Sequence, residues 1–122
     1  MPHTLRTAAF GLLFLGASSL PAVAHAHLLS TIPPADSSTR AVTMLILHFT
    51  EAVESAFTGV VLKTAAGAVV ATGAAKTAAP DPSTLNVPIA APLGPGLYQV
   101  DWHALATDGH KTTGSYDFTV TP

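Results

Sequence analysis

Apolar residues in this chain follow two different rhythms. Residues 8–20, AAFGLLFLGASSL, form a continuous uncharged apolar run, whereas further along apolar and polar residues alternate. In VTMLILHF (42–49) the alternation sets Leu45, Leu47 and Phe49 on one face and Met44, Ile46 and His48 on the other, the period of a strand. FTGVVLKT (57–64) and AVVATG (68–73) flank Ala65-Ala66-Gly67 and predict a hairpin. AAKTAAPDPS (74–83) is small, polar and proline-bearing, which predicts a loop. TLNVPI (84–89) aligns Leu85, Val87 and Ile89, with Pro88 favouring a sheet edge, and APLGPG (91–96) predicts a turn. LYQVDWHALA (97–106) turns Tyr98, Val100 and Trp102 inward and Gln99, Asp101 and His103 outward. TDGHKTTG (107–114) connects it to SYDFTV (115–120), where Tyr116, Phe118 and Val120 face in.

No segment of this region sustains a helical period, and there is no internal repeat. Short strands punctuated by turn residues predict an all-β fold, a Greek-key antiparallel β-sandwich of immunoglobulin-like or cupredoxin-like form.

The apolar run changes the picture of where the domain starts. Arg6 precedes it, Pro21 breaks it, and Ala22-Val23-Ala24 has the small-x-small form of a cleavage site. A membrane span needs roughly 20 apolar residues, so the run reads as a signal peptide, residues 1–24, and not as an anchor. The expected product is an exported, periplasmic domain over residues 25–122. Arg6 leaves with the leader, which takes the formal net charge from −2 to −3 with histidines neutral. That balance excludes a basic nucleic-acid binder and offers no basic patch for anionic lipid. Cysteine is absent, so disulfides, thiolate metal sites and cysteine nucleophiles are excluded. Five of the six histidines (His25, His27, His48, His103 and His110) lie beyond the leader and make up much of the remaining polar chemistry.

Candidate chemistry concentrates at two places. Asp108 and His110 flank Gly109, whose tolerance of positive φ lets both side chains turn toward one point. A carboxylate and an imidazole suit Cu(II), Ni(II) or Zn(II), although Asp-Gly is also an ordinary turn dipeptide. The second place is the end created by processing. Ala24 and Ala26 both offer a cut, and either exposes a histidine as first residue. A free α-amine, with a pKa near 7.7–8.0, loses its proton readily to a metal and closes a chelate ring with Nδ1 of the same residue. With Asp108 and His110 the donor set becomes three nitrogens and one oxygen, the tetragonal set that Cu(II) prefers. The bland alternative is a frayed amino terminus.

HAHLLSTIPPADSS (25–38), LHFTEAV (47–53) and GLYQVDWHALATDGHKTTGSYDFTV (96–120) together closely resemble the CopC family of periplasmic copper-binding proteins, including its YobA-like branch. The resemblance runs over nearly the whole chain after the leader. It implies a β-sandwich that binds Cu(II) through the amine and imidazole of His25, the carboxylate of Asp108 and the imidazole of His110, with cleavage after Ala24. Glu51 stands where the family has an acidic residue near the copper, which implies a role in orienting a ligand imidazole. Some members carry a Cu(I) site in a methionine-rich loop. The matching residues 65–83 contain no methionine, and Met44 is the only one beyond the leader, which implies a Cu(II)-only variant. The implied role is a Cu(II) carrier or buffer in copper resistance or uptake, not an enzyme. A separate CopD-like inner-membrane protein is the expected partner, and neither nucleic acid nor polysaccharide is.

Two alternatives stand beside that reading. His27, third from the new amine, could wrap Cu(II) with that amine, two backbone amides and its own imidazole, which would leave Asp108 and His110 as bystanders. An N-terminal histidine chelate also occurs in copper monooxygenases that cleave polysaccharides, yet the short connections here leave no broad substrate face. His48 is expected to be a surface or structural histidine, His103 to lie at the surface, and Tyr98 and Trp102 in the core.

Overall fold

The computed structural model describes residues 26–122, together with Gly11. The leader expected at 1–24, apart from Gly11, and His25 fall outside the described residues. These form nine strands: β1 (Leu28–Ile32), β2 (Ser38–Thr39), β3 (Met44–Phe49), β4 (Gly59–Thr64), β5 (Val69–Val70), β6 (Lys76–Ala78), β7 (Asp81–Pro88), β8 (Gly96–Leu105) and β9 (Lys111–Val120). One 3-10 turn, Ser55–Phe57, precedes β4, and no described helix is long and apolar enough to cross a membrane.

The strands build two sheets, ordered β1-β3-β7-β6 and β2-β9-β8-β4-β5. Alternation explains which faces meet. β3 buries Leu45, Leu47 and Phe49, and β7 buries Leu85 and Val87 beside them. From the other sheet come Leu62, Tyr98, Val100, Trp102, Ala104, Tyr116, Phe118 and Val120. Each large apolar side chain removed from water contributes roughly 1.5–3 kcal/mol, so this layer dominates stability. Phe49 of β3 meets Trp102 of β8 edge-to-face, with centroids 5.4 Å apart, and so joins the sheets.

Several expectations are corrected by this arrangement. The pairs are antiparallel except for β2 with β9, which run parallel. Residues 74–83 are not a loop: β6 pairs with β7, and β7 begins at Asp81. Nor is β7 an edge, since it lies between β3 and β6. Pro88 lies at the end of the strand, beyond the last β6 pair at Asn86, where its carbonyl still accepts the Gly73 N–H (2.7 Å). Phe57 belongs to the 3-10 turn instead of a strand and is 65% exposed. The connection between β8 and β9 is shorter than expected, because Leu105 already pairs with Lys111.

Candidate metal centre

The tight turn between β8 and β9 positions the Asp-Gly-His triplet. Gly109 N–H donates to the Ala106 carbonyl (2.9 Å), and Ala106 N–H donates to the His110 carbonyl (2.9 Å). Gly109 takes φ of +92°, the left-handed conformation that such a bulged hairpin end requires and that glycine adopts without strain. Folding back in this way brings the two flanking side chains together. Asp108 Oδ1 lies 3.1 Å from His110 Nδ1 and accepts the His110 backbone N–H at 3.1 Å. A carboxylate on Nδ1 fixes ring orientation and favours the tautomer in which Nε2 carries the lone pair. Both side chains are a little under half exposed, so the pair is open to a solvated ion.

The amino-terminal residues run directly past this turn. Ala26 is fully buried in the core, and its carbonyl accepts the Thr112 hydroxyl at 2.7 Å. Thr112 lies two residues beyond His110 on β9. His27 N–H donates to Thr50 Oγ1 (2.9 Å), while Thr50 N–H donates to the His27 carbonyl (2.8 Å). Residues 26 and 27 are thus strapped between the end of β3 and the start of β9. The chain after β3 lies against the same turn: Thr107 N–H donates to the Ala52 carbonyl (3.0 Å) and Glu54 N–H to the Leu105 carbonyl (2.8 Å). Glu51, exposed at the end of β3, therefore sits one residue from a direct contact with the turn.

Among the described residues, Asp108 and His110 are the candidate ligands in direct contact, and no three His, Asp or Glu side chains form a metal-sized cluster. His27 is exposed and its backbone is held by Thr50. His25 is outside the described set. His48 is half-buried, with Nδ1 2.9 Å from Thr84 Oγ1. The Thr84 hydroxyl donates its single hydrogen to Asp81 Oδ2 (2.7 Å), so Nδ1 of His48 is the donor in this chain. Hydrogen bonds from the Ser83 hydroxyl first, then from Thr84 and the Ser83 amide, hold the Asp81 carboxyl below its ordinary pKa. His103 is exposed, its ring resting on Gly59, where an added methyl would lie 3.2 Å from Cε1. Thr50 and Thr112 went unnoticed in the sequence. Threonine is common in strands, and nothing in the pattern distinguishes one whose hydroxyl ties down a distant segment.

Comparison with known proteins gives a consistent picture. Residues 28–121 match the CopC domain family. Protein YobA of Escherichia coli strain K12 is 40% identical over 123 aligned residues, covering 98% of this chain and 99% of the relative. Copper resistance protein C of Pseudomonas syringae pv. tomato is 35% identical, covering 95% and 98%. Among solved structures, PcoC, a methionine-rich copper resistance protein from Escherichia coli, superposes with a TM-score of 0.73 at 35% identity. That match covers 80% of this chain and all of PcoC. CopC from Methylosinus trichosporium OB3b gives 0.75 at 31% identity, over 80% of this chain and 95% of its own.

Proposed function

The chain belongs to the CopC family, and from that footing we propose that it is a periplasmic Cu(II) carrier or buffer, exported by a leader cut after Ala24 and without turnover of its own. The observation that carries this reading is the burial of Ala26 with its carbonyl on Thr112. Ala26 is thereby anchored to a residue two along the chain from His110, and adjacent Cα atoms are about 3.8 Å apart, so a ligand on the neighbouring residue needs no long reach to the Asp108–His110 turn. In the proposed site His25 supplies its amine and Nδ1, His110 an imidazole nitrogen and Asp108 a carboxylate oxygen. Three nitrogens and one oxygen match the tetragonal preference of Cu(II).

The same strap favours one of the candidate geometries. A cut after Ala26 would delete a core methyl and the partner of Thr112. Wrapping by His27 would need the His27 amide nitrogen to lose its proton to copper, but that amide donates to Thr50. The proposal therefore keeps His27 outside the coordination set. Glu51, beside the turn, is assigned to orienting a ligand imidazole. PcoC is described as methionine-rich, whereas this chain has two methionines in all, which favours Cu(II) over the softer Cu(I). Metal handed on by such a carrier fits a separate CopD-like membrane protein as partner.

Native mass spectrometry of the protein recovered from the periplasm tests this. The expected species begins at His25 and holds one copper ion. A chain beginning at His27, or one that stays metal-free in excess Cu(II), would refute the proposal.

A further inference from the structure

We propose that Thr112 and Thr50 are positioning residues for the copper site, anchoring Ala26 and His27 beside the Asp108–His110 turn before metal binds. The inference rests on the Cu(II) reading above and adds to it how the site is kept assembled without metal.

An amino terminus is ordinarily mobile, and a ligand carried on it must be immobilised when metal binds. Here the two residues that follow His25 are held by three contacts, none involving a metal. The Ala26 side chain is fully buried, its carbonyl accepts from Thr112 Oγ1 at 2.7 Å, and His27 N–H donates to Thr50 Oγ1 at 2.9 Å. The hydroxyls come from opposite sides, Thr112 from β9 and Thr50 from the end of β3. The Thr112–Ala26 bond spans 86 residues of sequence, so it registers the terminus against the last hairpin and not against its own neighbours. Thr112 follows His110 by two residues, so the anchor of Ala26 on β9 directly adjoins the turn that carries His110. Both threonines serve through their hydroxyls, and valine keeps the shape while removing the hydrogen bond.

The test uses the processed protein, its Thr112→Val, Thr112→Ser and Thr50→Val variants, and the same set carrying one extra residue before His25. Cu(II) affinity is measured by chelator competition, coordination by EPR, and apo stability by thermal unfolding. One neutral hydrogen bond corresponds to roughly a two- to tenfold change in an equilibrium constant. Thr112→Val should weaken Cu(II) by about that factor and split its EPR spectrum into more than one species. Thr112→Ser should restore both, and Thr50→Val should act in the same direction. With the extra residue in place, valine and threonine at 112 should bind Cu(II) alike, since the terminus no longer contributes. A folded Thr112→Val protein with parental affinity and spectrum would overturn the inference, as would a loss that persists unchanged behind the extra residue. Should Thr112→Val not fold, Thr50→Val decides by the same criteria. Failure of the underlying reading looks different: the extra residue alone would then leave affinity untouched, and the inference would fall with it.

Discussion

The indole of Trp102 covers Gly114 across the β8–β9 pair: a methyl on Gly114 would lie 2.6 Å from ring atom Cζ2 and 2.8 Å from Nε1. The same indole meets Phe49 of the opposite sheet, so it cannot shift without disturbing the contact between layers. Gly114→Ala is therefore expected to destabilise by about 1–3 kcal/mol, the range for overpacking a dense core. Denaturant unfolding followed by the fluorescence of this single tryptophan measures it, and an unchanged midpoint would mean the indole has room to move.

Tyr116 presents the opposite case. Its hydroxyl is buried and finds no hydrogen-bond partner among the described residues, and burial pushes the phenol pKa upward. Removing a buried polar atom that has no partner relieves a desolvation cost. Tyr116→Phe should leave stability unchanged or raise it by up to about 1 kcal/mol. A clear loss of thermal stability would reveal a partner for that oxygen.

Acid sensitivity has a visible contributor on the outer face of the larger sheet. Lys63, 2.7 Å away, and then the Ser115 hydroxyl and Gln99 amide hold the Asp101 carboxyl from its ordinary 3.8 down to about 2. A carboxyl whose pKa is lower folded than unfolded stabilises the fold above its unfolded pKa, and that contribution disappears as pH falls from about 4 through about 2. The site is solvent-exposed, so the effect on stability is small. Lys63→Met should raise the Asp101 pKa and flatten the stability profile in that window, as read by carboxyl NMR titration and acid unfolding. An unmoved Asp101 titration would show that Lys63 is not its principal partner.

His27 offers a direct discrimination between coordination geometries. Since its amide is engaged by Thr50, His27→Ala should change Cu(II) affinity by no more than about twofold. A loss of about tenfold or more, equivalent to 1.4 kcal/mol, would favour wrapping by His27 instead.

Legibility in the sequence followed the clarity of the alternation. β3, β8 and β9 each bury one face against an opposing sheet, so their period of two could be read directly, and Leu45, Leu47, Val100 and Phe118 are all in the core. β1 was hidden because its pattern is inverted. Thr31 faces in, its hydroxyl satisfied by the Pro33 carbonyl, while Leu29 and Ile32 face out around an irregular register with β3. β6 is a three-residue edge of small side chains, too short for any period to declare itself. The Asp108–His110 pairing was legible because Gly109 dictates its turn. The strap was not, because hydroxyl-to-carbonyl bonds over such separations depend on the folded register alone.

The most direct measurement compares Cu(II) affinity of the processed protein with that of the same chain carrying one additional residue before His25. Loss of tight 1:1 binding on extension is the expected result, since the free amine and the adjacent imidazole are then no longer on one residue. Equal affinity in the two proteins would contradict a copper site built on the amino terminus.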